Sequence, residues 1–349
     1  MSSENRKPTL RDIARKSGVS EATVSKALRG ETDINSRTAS LIRKTAGEMG
    51  YDGSRLNTRV TQSKTVGAVV TELNSEYYHG IFDAFRKRFE ADGYQVAAMV
   101  NDFDDAGSRI RSVEYLARQN VAGMMIITDV ELDMTRISRL LAKRNVPAVL
   151  IADTVNVGFC DVITVNHALG VELALSRLFS LGHVKIAFIG DRFTTAREKV
   201  FRKIISRRFG SLDDRLIRVS GTRSCPAGYA AADALFALPA GERPTAVLAA
   251  YDNIAYGLLR AAADRGVRVP EDLSVISIDD NPVSSYVSPS LTSVRIPVRD
   301  IGCRAADLLS ARIGGSTDPF QTVLLTPELI WRESAATANP KTNGAKDNE

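Results

Sequence analysis

The spacing of apolar residues divides the chain into a short helical head, residues 1–50, and a long body, residues 65–334. In the head, apolar positions recur at the i, i+3, i+4 spacing of three short amphipathic helices. In the body, short β-rich apolar runs alternate with helical stretches, which predicts parallel sheets covered by helices on both faces. The predicted strands lie at 65–71, 94–100, 123–128, 148–152, 184–190, 245–251, 273–279, 291–297 and 322–332. The predicted body helices lie near 79–92, 108–119, 134–144, 168–181, 196–209, 227–237, 253–265 and 298–312.

The first two helices of the head are predicted to meet at a tight turn. Thr9 can cap the first helix, and Asp12 can bond back to that cap. Gly18 stands where the chain needs a positive φ, and Ser20 can cap the second helix. Two interpretations fit this spacing: an ordinary helical hairpin, or a helix-turn-helix that reads DNA. The second helix favours DNA, because its outer face combines small, polar and basic side chains.

A third helix is predicted at 36–49, with Ser36 as its cap and Gly50 at its end. Its inner side is expected to consist of Leu41, Ile42, Ala46 and Met49. Its basic side chains, placed to meet phosphates, are Arg37, Arg43 and Lys44. Contacts of this kind add affinity and register but no sequence choice.

The charge distribution also separates the head from the body. The 349-residue chain has a formal net charge of +5, yet residues 1–64 hold 13 Lys and Arg against 7 Asp and Glu. The remaining residues hold 33 basic against 34 acidic side chains. All the excess positive charge therefore lies in the first segment, which suits a polyanionic partner for that segment alone.

Other classes of protein are less compatible with the sequence. The first residues contain no apolar run, so we expect no signal peptide, and no stretch approaches the ~20 apolar residues that cross a bilayer. Three distant cysteines (Cys160, Cys225 and Cys303) are expected to stay reduced, and no metal or cofactor is expected. A solute-binding protein and an α/β enzyme remain as alternatives, although the sequence has no phosphate-binding loop or nucleophile motif.

Residues 9–30, TLRDIARKSGVSEATVSKALRG, closely resemble the head of the lactose/galactose repressor family of bacterial transcriptional regulators. The shared pattern is T-L-x-D-I-A, then G-V-S-x-x-T-V-S-x-x-L, then G. The resemblance implies an all-α helix-turn-helix DNA-binding domain in which Glu21, Ala22 and Lys26 meet base edges. The other candidate DNA contacts on the head, mostly placed for phosphates, are Thr9, Ser20, Thr23, Ser25 and Arg29.

Residues 51–64, YDGSRLNTRVTQSK, are polar and basic, and two interpretations stay open for them. They form a plain linker, or they resemble the family's hinge, which becomes helical on DNA and inserts an apolar side chain into the minor groove. The resemblance places Arg55 at DNA and the wedge on Val60, with Leu56 as a second wedge. The family usually has Leu at the wedge, whereas the β-branched Val60 is a poorer helix former.

A looser resemblance to the same family continues through the body. It rests on GHVKIAFIG (182–190), YDNIAYG (251–257), GVRVPEDLSVISIDD (266–280) and SPSLTSV (288–294). It implies a periplasmic-binding-protein-like body of two doubly wound α/β lobes with parallel sheets and a cleft at the strand ends. The chain is expected to cross between lobes near 160, 290 and 325. Lobe 1 is expected at about 65–160 plus 291–325, lobe 2 at about 161–290 plus 326–334, and a disordered tail at 335–349.

Polar and aromatic side chains at or after strand ends are the effector candidates. The planar fork of Arg197 suits carboxylates, phosphates or pairs of sugar hydroxyls. Asp279 and Asp252 can accept hydrogen bonds from hydroxyls, although Asp252 could instead cap its helix. The remaining candidates are Asn74, Tyr77, Tyr78, Asp153 and Tyr251. Tyr251 and the pair Asn166-His167 depart from the family pattern, which suggests an effector unlike a plain hexose.

Together these features predict a sequence-specific transcriptional regulator, expected to repress, that is controlled by a sugar or related metabolite. Its partners are expected to be a near-palindromic double-stranded DNA operator, the small-molecule effector and a second copy of the chain, as a dimer or tetramer, with no membrane. Its location is expected to be the bacterial cytoplasm, associated with the nucleoid.

Overall fold

The computed structural model describes residues 8–29, 34–51, 63–102, 105–128, 132–153 and 157–339. The chain divides into two compact units, residues 1–64 and 65–349. Among the described residues, no helix has the length and apolar character that crossing a membrane requires. All three cysteines are free thiols, of which Cys160 is buried and Cys225 is exposed.

The head contains three helices: α1 (Leu10–Ser17), α2 (Glu21–Arg29) and α3 (Ser36–Glu48). The predicted capping box is confirmed, because the Thr9 backbone N–H donates to Oδ2 of Asp12 at 2.9 Å and the Asp12 N–H donates to the Thr9 hydroxyl at 3.4 Å. Gly18 ends α1 with a φ of 71°, and the Ser20 hydroxyl accepts from the Thr23 N–H at 3.1 Å. Local sequence therefore fixes the turn between α1 and α2.

A small apolar core holds the three helices of the head together. Its buried residues are Ile13, Ala14, Val24, Ala27, Ala39, Ile42 and Ala46. Two predictions for α3 are wrong. Asn35, whose side chain accepts from the Arg37 N–H, is the cap in place of Ser36. Leu41 is 50% exposed, because the inner stripe of α3 runs through Ala39, Ile42 and Ala46.

The body contains two six-stranded sheets. Its strands are β1 (Thr65–Thr71), β2 (Gln95–Asn101), β3 (Met124–Ile127), β4 (Ala148–Ile151), β5 (Asp161–Val165), β6 (Ile186–Asp191), β7 (Ile217–Ser220), β8 (Ala246–Ala249), β9 (Ser274–Asp279), β10 (Thr292–Arg295), β11 (Thr322–Leu325) and β12 (Glu328–Ile330). The first sheet has the order β11-β5-β4-β3-β1-β2 and is parallel throughout. The second has the order β12-β10-β9-β8-β6-β7, with only β12 antiparallel. The prediction of two doubly wound α/β lobes is confirmed.

Eight described helices cover the sheets. They are α4 (Glu76–Ala91), α5 (Ala106–Arg118), α6 (Met134–Arg144), α7 (His167–Ser180), α8 (Thr195–Phe209), α9 (Cys225–Phe236), α10 (Asp252–Asp264) and α11 (Val298–Ile313). Central strands such as β3, β4 and β8 are buried along their whole length, as expected for sheets covered on both faces. Helices α9 and α10 approach so closely that a Cβ on Gly228 or Gly257 would overlap the backbone of the opposite helix.

The positions at which the chain crosses between lobes differ from the prediction. Strand β5 lies in the first sheet, so the first crossing follows residue 165 and not 160. Strand β10 lies in the second sheet, so the second crossing follows residue 295 and not 290. Residues 322–332 form two strands in different sheets, because Pro327 interrupts the run. The third crossing lies there, as expected.

The prediction of a disordered tail from residue 335 is wrong for residues 335–339. The backbones of Ser334 and Val275 hydrogen bond at 2.7 Å, and the Ala336 N–H donates to the Ser274 hydroxyl at 3.0 Å. Nε2 of His183 donates to the Ala336 carbonyl at 3.0 Å. Residues 335–339 are therefore packed against the second lobe, because their small side chains fit beside β9. Residues 340–349 lie outside the described residues.

Candidate functional site

A cavity lies between the two lobes of the body, at the carboxyl ends of their strands. From the first lobe, Tyr77 and Tyr78 reach it from the start of α4, and Asp153 follows β4. The second lobe contributes Arg197 from α8, and Tyr251 follows β8. The remaining lining residues are Ser75, His167, Phe193, Thr194, Ala196, Arg223, Asn253, Asp279 and Asn281. Parallel strands place their carboxyl ends at one edge, so residues distant in sequence meet there.

Arg197 is held by two uncharged acceptors. One guanidinium nitrogen donates to the carbonyl oxygen of Ala250, and Nη2 lies 3.2 Å from Nδ1 of His167. The opposite ring nitrogen of His167 lies 3.3 Å from Oδ1 of Asp153. Burial and the Arg197 charge lower the pKa of His167, so its ring is neutral at pH 7. Arg197 only donates; Nδ1 therefore accepts, and the proton is on Nε2, facing Asp153.

A second arginine shares the same aromatic ring. The guanidinium carbon of Arg197 lies 5.1 Å from the centroid of Tyr251, and that of Arg223 lies 5.0 Å from it. Arg223 also donates to the Tyr78 hydroxyl at 3.4 Å and lies 3.8 Å from Oδ2 of the buried Asp191. Both cations therefore sit at cation–π distance from Tyr251, inside the cavity.

Asp279 ends β9 with a φ of 133°, a strained conformation for a residue with a side chain. Burial raises the pKa of its carboxyl to about 8, while Arg197 and Arg223 act in the opposite direction. Asp279 is half-buried and lines the cavity. At pH 7 the carboxyl is therefore mostly protonated and can donate a hydrogen bond to a ligand.

The head presents a separate surface, which lies on α2. Glu21 and Ala22 are exposed, and Thr23, Ser25 and Lys26 are half-buried. Ser20 is exposed at the helix start, with its hydroxyl 2.8 Å from that of Thr23. The opposite side of α2 carries Val24 and Ala27, both fully buried in the head core. This arrangement leaves the predicted reading face of α2 outside the core.

The comparisons with known proteins match both the head and the body of the chain to known families. Residues 9–54 match the family described as "Bacterial regulatory proteins, lacI family", and residues 175–335 match the "Periplasmic binding protein-like domain". The chain is 30% identical to the HTH-type transcriptional regulator MalR of Streptomyces coelicolor, over 94% of this chain and 97% of the relative.

The chain belongs to the LacI family.

Further relatives of this LacI-family regulator include the HTH-type transcriptional repressor PurR of Vibrio atlanticus, 27% identical over 95% of this chain and 99% of the relative. Among solved structures, a complex of the regulator CelR with cellobiose is 27% identical with a TM-score of 0.67, over 94% of this chain and all of that one. The lac repressor dimer bound to operator and the anti-inducer ONPF shares the fold, with a TM-score of 0.69 at 24% identity over 95% of this chain. The chain is thus a DNA-binding transcriptional regulator with a helix-turn-helix head and a periplasmic-binding-protein-like body.

Most of the predicted effector residues of this LacI-family regulator line the cavity. They are Tyr77, Tyr78, Asp153, Arg197, Tyr251 and Asp279. Asn74 does not line it, because the turn before α4 leaves Asn74 exposed and turns its neighbour Ser75 inward. Two predicted DNA contacts, Arg55 and Val60, lie outside the described residues, as do the second wedge Leu56 and the side chain of Arg29.

Asp252 is the second effector candidate that does not line the cavity. Its carboxylate is fully buried and accepts from the Ser284 hydroxyl at 2.6 Å, the Ser293 hydroxyl at 2.7 Å and the Asn281 N–H at 2.7 Å. The Ser277 hydroxyl is a fourth donor. Since Asn281 lines the cavity, the carboxylate of Asp252 supports the cavity from beneath.

Arg223 and His167 are the principal cavity residues that the sequence interpretation missed. Arg223 lies three residues after β7, a strand that the apolar pattern does not predict. His167 begins α7 two residues after the end of β5, a second strand that the apolar pattern does not predict. The signal for both was a polar side chain shortly after a strand.

Proposed function

We propose that the chain represses transcription by binding a near-palindromic operator as a dimer, and that a small effector in the inter-lobe cavity sets its DNA affinity. The observation that carries this proposal is the pairing of two surfaces in one family member. One is the face of α2 outside the head core, where Glu21 and Ala22 are exposed and Lys26 is half-buried, and the other is the polar cavity around Arg197. PurR of Vibrio atlanticus, described as a repressor, and the CelR complex with cellobiose support the two halves of this assignment.

We assign base reading to three residues on α2. Lys26 can donate to O6 and N7 of guanine, Glu21 can accept from N4 of cytosine, and Ala22 can contact a thymine methyl. Thr9, Ser20, Thr23 and Ser25 have hydroxyls suited to phosphates, and we place Arg55 and Val60 of the linker at DNA as well. A dimer presents two such helices related by two-fold symmetry, which requires two half-sites of inverted sequence.

The effector acts through the two lobes. A ligand that binds one relative position of the lobes better than another shifts the population toward it, and this shift couples to DNA binding. We propose that the ligand is bound and released unchanged, since the relatives that match over the full length are regulators. Because its proposed target is genomic DNA, we propose that the protein acts in the cytoplasm, at the nucleoid.

Selection of bound duplexes from a random pool by the full chain tests this function. The expected product is a near-palindrome with two half-sites, and a metabolite extract is expected to change the bound fraction. Recovery of the ligand from the complex by mass spectrometry, chemically unchanged, distinguishes a sensor from an enzyme. No preference over bulk competitor DNA at low ionic strength, where phosphate contacts are strongest, contradicts the proposal.

A further inference from the structure

Two positive charges share one side of the cavity. Because the guanidinium carbons of Arg197 and Arg223 lie 5.1 and 5.0 Å from the same Tyr251 centroid, they are at most about 10 Å apart. Arg197 is 8% exposed, and the Arg223 side chain is 20% exposed. Water therefore screens the repulsion between them only partly, and an anion bound near both would relieve it.

The hydrogen-bond partners of Arg197 in the described residues carry no negative charge. They are the Ala250 carbonyl and the neutral ring of His167. Among the residues that the structure describes, no carboxylate lies within 4.0 Å of the guanidinium. Guanidinium groups in partly buried sites are usually matched to carboxylates or phosphates, which they bind with two parallel hydrogen bonds.

The carboxyl groups nearby compensate the two positive charges only in part. Asp153 bonds His167, and Asp279 is mostly protonated at neutral pH, because burial raises its pKa to about 8. Asp191 lies beneath Arg223 at 3.8 Å, but the Oδ2 atom nearest to Arg223 accepts no hydrogen bond within the described part of the chain. A protonated Asp279 also favours an incoming anion, since it adds a donor in place of a negative charge.

We propose that the effector is a small polyhydroxylated molecule with an acidic group, a carboxylate or a phosphate, which binds at Arg197 and Arg223. This inference rests on the proposed function and names the class of ligand for its cavity. The hydroxyls of such a ligand meet Asn253 and Asn281, and its apolar ring face meets the aromatic side chains of the cavity. A sugar acid and a sugar phosphate both have this chemistry.

Calorimetric titration of the full chain with matched pairs tests the inference. The probes are inorganic phosphate, glucuronate against its methyl ester, and glucose 6-phosphate against glucose. We expect phosphate and at least one of the two acids to bind about tenfold or more tightly than chloride or the neutral partner, as charge-assisted hydrogen bonds require. The glucuronate arm and the phosphate arm identify which acidic group the cavity accepts.

Variants connect the binding to the two arginines. Arg197→Gln and Arg223→Gln are each expected to weaken anion binding about tenfold or more. Arg260→Gln removes the same charge from an exposed site on α10 and is expected to leave binding unchanged. Arg223→Lys keeps the charge without the fork and is expected to be intermediate. A thermal melt of each variant without ligand establishes that it is folded.

Several results overturn the inference. They are neutral sugars that bind as tightly as their acids, anion binding that survives both Gln variants, and no binding by any of the anionic probes. Binding of the selected duplex is measured in parallel without small molecules. If the protein binds the duplex but binds the neutral sugars as tightly as the acidic ones, the proposed ligand class is wrong and the proposed regulatory function is retained. If no duplex is bound, the proposed function itself fails.

Discussion

Nδ1 of His167 lies 3.2 Å from Nη2 of Arg197, and this contact extends through Nε2 of His167 to Asp153 at 3.3 Å. Asp153 follows β4 of the first lobe, whereas Arg197 is on α8 of the second. The three side chains therefore form one hydrogen-bonded chain across the cavity. Its direction is fixed, because Arg197 only donates and the ring is neutral. We infer that the chain holds the Arg197 fork in place and joins the two lobes.

Replacing His167 tests whether it positions Arg197. His167→Leu removes the acceptor and is expected to weaken phosphate binding by about fivefold to tenfold, the effect of losing one ordinary hydrogen bond that holds Arg197 in place. His167→Gln keeps one acceptor and one donor and is expected to retain most of the affinity. Titration calorimetry of both variants with phosphate measures this. Equal losses in the two variants contradict a positioning role.

The pH dependence of binding offers an independent test of the same contact. The pKa of His167 lies below its ordinary value of 6.5, so wild-type affinity is expected to hold between that pH and about 7, where Asp279 is still mostly protonated, and to fall in more acidic solution. Protonation puts a hydrogen on Nδ1, so this atom no longer accepts the hydrogen bond from Arg197 and the two positive charges repel each other. His167→Gln has no such proton and is expected to bind with little dependence on pH in this range.

Asp279 is expected to make the folded protein less stable as the pH rises through about 8. Its folded pKa of about 8 lies above the ordinary 3.8, so between these values the folded state binds more protons than the unfolded state. The stability that this proton provides is complete below the unfolded pKa and is lost as the pH rises through about 8. Asp279→Asn has no charge to bury and is expected to flatten the alkaline side of the profile by on the order of 1–3 kcal/mol. Urea unfolding from about pH 5 to about pH 9 measures the difference.

Much of the fold was readable from local sequence, but two strands were not, for physical reasons. Strand β5 begins with Asp161, whose charge suggests a surface position. The side chain is fully buried because Arg312, far along the sequence, holds it with two hydrogen bonds of 2.7 and 2.8 Å. Strand β7 has four residues at the sheet edge, and its buried and exposed positions give no continuous apolar run. Because β7 was not predicted, Arg223, one of the two arginines in the cavity, was not predicted either.

Site residues were predicted correctly where their position after a strand is enough to bring them to the cavity. They were predicted wrongly where contacts with distant residues determine whether the side chain is buried. Arg197 and Tyr251 line the cavity, as their position after predicted strands together with the family resemblance indicated. Asp252 has the same sequence signature, a carboxylate directly after a strand. Three serines from later segments, 25, 32 and 41 residues away, surround it and exclude it from the cavity. Such long-range contacts leave no trace in local periodicity.

Asp252 is expected to be a major stabilising residue of the second lobe. Asp252→Ala leaves the hydroxyls of Ser277, Ser284 and Ser293 buried without their acceptor, at a cost of about 3 kcal/mol or more in unfolding free energy. Asp252→Asn keeps one oxygen and is expected to cost less. Urea unfolding measures both. The exposed Ser285→Ala serves as the control, and a change in Asp252→Ala no larger than this control contradicts the assignment.

The close contact between α9 and α10 depends on Gly257. A methyl group there overlaps the Cys225 carbonyl, a backbone atom that cannot rotate away. Gly257→Ala is therefore expected to lower the unfolding free energy by about 1–3 kcal/mol or more, although alanine favours helices. Gly241→Ala meets no atom within 4 Å and is the matched control, with an expected change near zero. Thermal unfolding of the two variants decides whether the glycine is needed for packing.

Lys26 and Lys44 are expected to fail in different ways on DNA. Lys26 lies on the outer face of α2, where its ammonium group can reach a base edge, whereas Lys44 is exposed on α3 at a position suited to phosphate. Lys26→Ala is expected to cost ~1–3 kcal/mol on the selected operator and to relax base choice at one position. Lys44→Ala is expected to weaken all duplexes alike and to reduce the salt dependence by about one phosphate contact. Binding titrations against a panel of single-base operator variants at several salt concentrations separate the two effects, and a uniform loss for Lys26→Ala removes it from the reading face.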